Sequence, residues 1–470
     1  MAEAIVGREA ELGAIERFLR RVPEAAAALL IEGEAGIGKT TVWLEAVRAG
    51  QARGFQVLEL RPAESEAQLS YVGLADLLDG VFDATRAALP NVQERALAAA
   101  LLREEADRAA DPRTTAAAVV AVLAQLAASG PVLPAIDDVQ WLDSASERAL
   151  SFAARRLPPR VGLLLTRRVE VPSDVPLGLE RAGPEGWFER VVPAPLSLAA
   201  LHHVIKGRLG WSLPRPLLAR LLEASGGNPF FALEIARALG QDAAEHRPGD
   251  PLPVPHNVEE LVAARLRRLS DTARQASLAA AALSRPTPAA IADAVAPGGD
   301  GREALVEAEE GGVLVSDGGR VRFSHPLLAS VVYASASAER RRALHERLAA
   351  IVENPEERAR HLALCTTEPD AAIAAQLEDA AQEAAMRGAQ ETAAELFAAS
   401  RRLTPSKQAD EAARRALGEA SALLVVGARL SPNRSRPPPA GRCAARRCIC
   451  SARWGGSAGA RRRPGASKRR

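Results

Sequence analysis

Short apolar runs alternate with longer amphipathic stretches along the first third of the chain. The runs at residues 26–31, 55–60, 132–136 and 161–166 are rich in Val, Leu, Ile and Ala and are bounded by turn residues, a pattern that predicts buried parallel strands. The stretches between them space their apolar positions as helices do, so residues 1–175 read as a doubly wound α/β unit. Pro134 lies inside the third run and lacks a ladder donor, which predicts a bulge or an altered edge there. Thr114 to Ile136 carries no charge across 23 residues, but Ser129-Gly130-Pro131 breaks it and Asp137-Asp138 follows, so a helix and then a strand are expected, not a bilayer span. "VEVPSDVPLGLERAGPEG" ends this unit, and "HRPGDPLPVPHN" ends the helical stretch that follows. Further on, "GGVLVSDGGRVRFSH" places two short β-rich runs around Asp317-Gly318-Gly319, a hairpin signal. From residue 351 the pattern is alanine-rich and helical, as in "AAIAAQLEDAAQEAAMRGAQETAAELFAASRRL".

Composition sharpens this picture. Of 470 residues 47% are apolar, yet only 16 are aromatic, so helices packed through small side chains should dominate a chain long enough for about three domains. The amino terminus, "MAEAIVGREAE", has no basic segment leading into an apolar one, and a cytoplasmic protein is expected. Charge is distributed unevenly. Residues 427–470 hold 13 Lys and Arg and no acid, leaving 47 basic against 58 acidic residues in 1–426. This tail also holds Cys443, Cys448 and Cys450, in a spacing that is neither a disulfide framework nor a zinc pattern. It has no periodicity and is expected to be disordered. Its Arg/Pro/Ala/Gly/Cys content is that of a GC-rich frame translated out of phase; a basic arm for polyanions is the other reading.

Chemistry enters directly after the first strand. Gly33-Glu34-Ala35-Gly36-Ile37-Gly38-Lys39-Thr40 fits G-x-x-x-x-G-K-[ST], with strand, loop and helix in the order that a phosphate-binding loop requires. Gly33, Gly36 and Gly38 let backbone N–H groups point at phosphates, and the helix starting near Lys39 adds its positive end. Lys39 would reach the β- and γ-phosphates, and the Thr40 hydroxyl, followed by Thr41, would bind Mg²⁺. The run ending in Asp137 and Asp138 lies 98 positions after Lys39. Asp137 would hold the metal through water, and Asp138 would orient or deprotonate an attacking water. ATP or ADP with Mg²⁺ is the expected ligand.

"VGREAELGAIERFL", "GEAGIGKTT", "IDDVQWLD", "LLLTRR", "SGGNPFFALEIARAL" and "RFSHPLLASVVY" occur in the order found in the large ATP-binding regulators of the LuxR type. The chain therefore resembles the signal-transduction ATPases with numerous domains, a branch of the AAA+ P-loop class, across about nine tenths of its length. The resemblance implies a switch. It implies that Gly7 and Arg8 belong to an entry motif packing against adenine, the other reading being the start of an amphipathic helix, and that Arg167 reads the γ-phosphate, with Arg168 beside it as the other choice and an ordinary surface arginine as the alternative to both. It implies that Pro229 of a lid motif packs on the base or sugar, although Gly227-Asn228-Pro229 serves equally well as a helix stop and a new start. His325 resembles a histidine placed against the β-phosphate of ADP, the other reading being a structural residue ending an apolar strand.

The domains then expected are an AAA-type P-loop core at 1–175, a helical lid at 176–250, a winged-helix-like regulatory domain at 251–350, incomplete tetratricopeptide-like helices at 351–426 and the basic tail at 427–470. Family members continue to a carboxy-terminal helix-turn-helix, so a chain truncated before it should bind no specific DNA sequence. Slow ATP hydrolysis would set the conformation, an inducer or protein partner would act through the repeats, and the ATP state would self-associate. The competing class is a P-loop enzyme with continuous turnover, a motor or a kinase. Against it stand the absence of a substrate-binding insert and the short acid Asp138 where fast machines carry glutamate.

Overall fold

The computed structural model describes residues 5–104, 110–169, 174–239, 265–296, 301–317 and 319–429. The core runs through α1 (Glu9–Arg21), β1 (Ala27–Gly33), α2 (Lys39–Ala52), β2 (Gln56–Leu60), α3 (Val72–Leu78), α4 (Phe82–Thr85), α5 (Asn91–Ala100), α6 (Pro112–Ser129), β3 (Val132–Ile136), α7 (Ser144–Ala154), β4 (Gly162–Arg168) and β5 (Phe188–Val191). All five strands are parallel, in the order β2-β3-β4-β1-β5. The four strands expected from the apolar runs are present. The edge strand β5, with the sequence FERV, is additional; it is short, polar and set among prolines and glycines, where no period-2 signal stands out.

The alternation of strand side chains divides the core in two. Ala27, Leu29 and Ile31 of β1 pack with α1 and α2 around Trp43. Ala28 and Leu30 face the other way, toward α3, α5, α6 and α7. The uncharged stretch is a helix and then a strand: Asp111 caps α6 by accepting from Arg113 N, Pro112 occupies its first turn, and Gly130-Pro131 ends it. Among the described residues no helix is long and apolar enough to cross a membrane.

Pro134 does leave a mark. β3 keeps an unbroken five-residue register with β2, but toward β4 it pairs only at Val132, Ala135 and Ile136. Val132 N donates to Arg160 O on the β4 side at 2.9 Å. Alternate N–H groups of a strand point the same way, so the donor missing at Pro134 is one that would have faced β4. The ladder is interrupted on that side, without a bulge toward β2.

Beyond the sheet come α8 (Leu198–Leu209), α9 (Arg215–Ser225) and α10 (Pro229–Leu239), which share a small core of their own. The next group is α11 (Asp271–Ala282), α12 (Pro288–Val295), α13 (Arg302–Glu310), β6 (Leu314–Asp317), β7 (Arg320–Phe323), α14 (Pro326–Ser335) and α15 (Ala338–Ile351), around a third core. β6 and β7 form the expected antiparallel hairpin, with Val315 opposite Arg322. The alanine-rich region folds as α16 (Pro355–Cys365), α17 (Ala371–Met386), α18 (Gln390–Arg402) and α19 (Ala409–Arg429).

These last helices pack on the sheet domain itself. Leu377, Ala381, Phe397 and Ala422 belong to the same apolar cluster as α6 and α7. Ala110 N donates to Met386 O at 2.8 Å, and Ser70 Oγ to Glu356 Oε1 at 3.1 Å. Residues 1–424 form one compact unit. Residues 430–470, with Cys443, Cys448, Cys450 and nearly all of the basic tail, lie outside the described residues, as do 240–264 between α10 and α11.

Candidate functional site

The loop between β1 and α2 is built as the glycine spacing requires. Gly36 has φ +81° and Gly38 φ +102°, a left-handed backbone that side chains resist. A Cβ on Gly36 would also fall 2.6 Å from Phe230 Cβ and 2.9 Å from Asn228 Oδ1. Lys39 opens α2 and is buried, its Nζ donating to Gly33 O at 3.0 Å and Glu34 O at 2.8 Å. Burial lowers the Lys39 pKa, with Asp138 and Asp137 opposing that shift. Thr40 lies in the first turn within hydrogen-bond reach of Asp137, and Thr41 beside it is exposed.

The two acids end β3 one strand away from β4. Asp137 N donates to Leu60 O at 2.9 Å, and Asp137 Oδ1 accepts from Thr166 Oγ1 at 2.6 Å. Thr166 Oγ1 accepts in turn from Asp138 N at 2.7 Å. Asp138 has left-handed φ and ψ of 52° and 55°, a strained conformation for a non-glycine residue and of a kind that concentrates at functional sites. Burial, then the neighbouring Asp138 carboxylate, push the Asp137 carboxyl up to about 6, against hydrogen bonds from Thr166 and Thr40. Two adjacent buried acids beside a threonine hydroxyl fit Mg²⁺. That ion takes oxygen ligands, keeps several waters, and uses one or two carboxylates together with phosphates. Among the described residues no three His, Cys, Asp or Glu form a cage that would hold a metal without such help.

β4 separates the two arginines. Arg167 is buried in an ion pair with Glu32 at 2.6 Å and donates to Asp174 O at 2.5 Å. Period-2 alternation puts Arg168 on the same face as Thr166, opposite Gly33 in the register. Its charge acts on both Lys39 and His325. Of the pair, Arg168 is the one beside the phosphate loop.

The start of α10 reaches that loop. Asn228 is 1% exposed; its Nδ2 donates to Ala35 O at 2.9 Å and its Oδ1 accepts from Phe230 N at 3.1 Å. Pro229, at the start of α10, lies 4.0 Å from where a Cβ on Gly38 would stand. Phe230 stacks on His325, with ring centroids 3.9 Å apart and planes inclined by 22°. His325 from the hairpin region thus sits behind Phe230, over the loop.

Arg8 approaches from the other side. It is buried, donates to Ile37 O at 2.5 Å, and pairs with Glu11 at 3.1 Å. The Arg8–Glu11 pair also takes both backbone groups of Ala194: Arg8 donates to its carbonyl, and Glu11 Oε1 accepts from its N–H at 3.1 Å. Gly7, just before, lies against Ala200 of α8.

Burial, followed by Arg168, Lys39 and Arg265, pushes the His325 pKa down to about 3. An unfolded histidine titrates near pH 6.5, so the unfolded chain binds the proton first. The neutral contact is fully stabilising above about pH 6.5 and loses roughly 1.4 kcal/mol per unit as pH falls from there toward 3. Between pH 7 and pH 5 the unfolding midpoint should fall less in His325→Phe than in wild type. Equal falls would show that His325 is not held neutral.

Thr166, Gln140 and Glu32 join this site although the sequence reading gave them no role, and Asn228, read only as part of a lid motif or helix boundary, contacts the loop. Alternation along β4 could have singled out Thr166 and Arg168. The others depend on contacts between residues far apart in the chain.

Residues 4–166 match the family model described as the AAA ATPase domain. The chain is 27% identical over 393 residues to an uncharacterized protein of Rhizobium meliloti (strain 1021), a match that covers 74% of this chain and 37% of that protein. Among solved structures, it is similar at 13% identity and a TM-score of 0.49 to a signal transduction ATPase with numerous domains and a tetratricopeptide repeat sensor from Pyrococcus horikoshii, covering 91% of this chain and 65% of that one. It is also similar to the ORC2 protein of Aeropyrum pernix, at 14% identity and a TM-score of 0.34, covering 74% of this chain and 96% of that one. The chain thus spans little more than a third of its curated relative and just under two thirds of the Pyrococcus protein. Residues 4–166 carry the sequence pattern of the AAA ATPase domain on a parallel α/β P-loop core, a fold that binds ATP.

Proposed function

We propose that this chain is a nucleotide-dependent switch, the ATPase part of a LuxR-type signal-transduction regulator, which hydrolyses ATP slowly and reports the bound nucleotide through the position of its lid. The observation that carries this reading is the seating of Asn228 and Phe230 on the loop at Ala35 and Gly36, with His325 stacked behind. Nucleotide exchange at a loop covered in this way requires the lid to move, and that ties occupancy to conformation. In this reading Gly33, Gly36, Gly38 and Lys39 cradle the phosphates, and Thr40 and Asp137 hold Mg²⁺. The metal, when bound, neutralises charge on the β- and γ-phosphates. Asp138 orients the attacking water, Arg168 takes the γ-phosphate role first given to Arg167, and His325 meets the β-phosphate. Arg8 supports the loop through Ile37, and Pro229 lines the nucleotide from the lid. Helices α16–α19 receive an inducer or protein partner.

The test is nucleotide content and turnover on one purified sample. Retained ADP, with turnover below about 1 s⁻¹, the low end for typical enzymes, is expected. In Asp138→Asn nucleotide should still bind, while hydrolysis falls by a factor of about 100 or more, the scale of a lost general base. Fast turnover without retained ADP would favour a continuously cycling machine instead.

A further inference from the structure

The turn after Asp138 contains a side chain that the scheme above leaves without a task. Val139–Trp141 forms a single 3₁₀ turn, started by the left-handed backbone of Asp138, and this turn folds Gln140 back over the acid that precedes it. Gln140 Nε2 donates to Asp138 Oδ1 at 2.9 Å, and Gln140 Oε1 accepts from Arg168 N at 3.2 Å. The second bond fixes the sense of the first. A backbone N–H can only donate, so the amide oxygen must face Arg168, and the amide nitrogen is left to face Asp138.

We propose that Gln140 is a positioning residue that ties the carboxylate of Asp138 to the end of β4, so that the base and the γ-phosphate side of the site move together. The proposal rests on the reading of Asp138 as base and Arg168 as the γ-phosphate arginine. Asp138 is held at three points: its N–H by Thr166, its Oδ1 by Gln140, and its backbone by the strained turn. Oδ2 is left out of this clamp. Because Gln140 hangs on the backbone of Arg168, a γ-phosphate that draws the Arg168 side chain shifts the strand end, and one amide passes the shift to Asp138. ADP has no γ-phosphate and exerts no such pull. A residue in this place affects the chemical step and the distinction between ATP and ADP, and has little effect on ADP binding itself.

Two replacements separate the functions of the amide. Gln140→Leu keeps the bulk and removes both bonds. Gln140→Glu still accepts from Arg168 N–H but repels Asp138. Each should lower kcat about tenfold or more, as expected when a hydrogen bond to a charged group is lost. The affinity for ADP should stay within about threefold of wild type. Independently of turnover, the ratio of ATPγS to ADP affinity, measured by fluorescence titration, should move by at least about threefold in both variants. Unchanged kcat and an unchanged ratio, with ADP binding intact, would overturn the proposal. So would an ADP affinity that falls in step with kcat, because a collapsed site and not a misplaced base would then be the cause. Asp138→Asn belongs in the same experiment. If it retains full turnover, the assignment of the base fails and takes this inference with it. If it is inactive while the Gln140 variants behave as wild type, only the role of Gln140 is lost.

Discussion

Lys39→Ala should abolish nucleotide retention and lower affinity for ATP and ADP by about 100-fold or more. The lysine is the only basic side chain of the loop itself, and it is already buried there with its ammonium turned onto Gly33 O and Glu34 O. Those two carbonyls are what a phosphate oxygen would replace. Truncating one partner of a buried charge pair costs about 2–5 kcal/mol, and each 1.4 kcal/mol is tenfold in affinity. The effect on the empty protein should be much smaller. The variant loses two hydrogen bonds, but it no longer carries a cation whose burial is unfavourable. Thermal unfolding with and without nucleotide separates the two effects: wild type should gain stability from ADP, and Lys39→Ala should gain none while starting near the wild-type midpoint. An ADP-dependent gain of wild-type size in the variant would remove Lys39 from the binding site.

Asp143→Ala should have the largest effect on folding, at about 3–5 kcal/mol. Asp143 is 1% exposed and uses both carboxylate oxygens. Oδ1 accepts from Tyr71 N and Ser146 N, each at 2.9 Å, and Oδ2 from Gly73 N at 3.0 Å. Ser146 Oγ completes the arrangement by accepting from Leu74 N at 2.8 Å. One carboxylate therefore caps α7 and holds the first turn of α3, where Tyr71 has a left-handed φ of 57°. Its loss leaves three buried N–H groups without partners, at about 1–3 kcal/mol for each, reduced where water or relaxation reaches them. A lost helix cap alone costs about 1 kcal/mol. The Asn variant keeps one accepting oxygen and turns an N–H toward other donors, so it should fall between. Urea denaturation measures both, and an unchanged midpoint in Asp143→Ala would contradict the structural role.

These two residues illustrate what a linear reading recovers. The phosphate loop is local, its glycines and Lys39 lying within one turn of chain, so spacing alone announces it. The paired acids are nearly local, because an apolar run that stops at two carboxylates must leave a strand there. Asp143 lies in the same "IDDVQWLD" segment, and its cap on Ser146 is local, yet its partners Tyr71 and Gly73 are about 70 residues upstream and no periodicity points to them. The arginine pair shows an intermediate case. Residues 167 and 168 are adjacent and chemically identical, and only the facing of β4, with Thr166 turned toward the acids, separates the one held by Glu32 from the one beside the loop. Asn228 was legible as a helix boundary but not as a contact. A polar residue before a proline serves both purposes, and 193 positions separate it from Ala35. The edge strand β5 escaped because four mixed residues carry too little pattern.

The grip of Arg8 and Glu11 on Ala194 fixes the joint between the sheet domain and helices α8–α10. Both polar groups of Ala194 are held by the core side, while Leu196 N already donates to Gly227 O at 2.9 Å at the start of α10. Only Pro195 lies between the two moorings. Its ring fixes φ, and the residue before a proline is confined to extended conformations. Any movement of α8–α10 about this point would turn on very few torsions, like a latch on a stiff pin. In the switch proposed above, such a joint would favour discrete positions of these helices over a graded tilt.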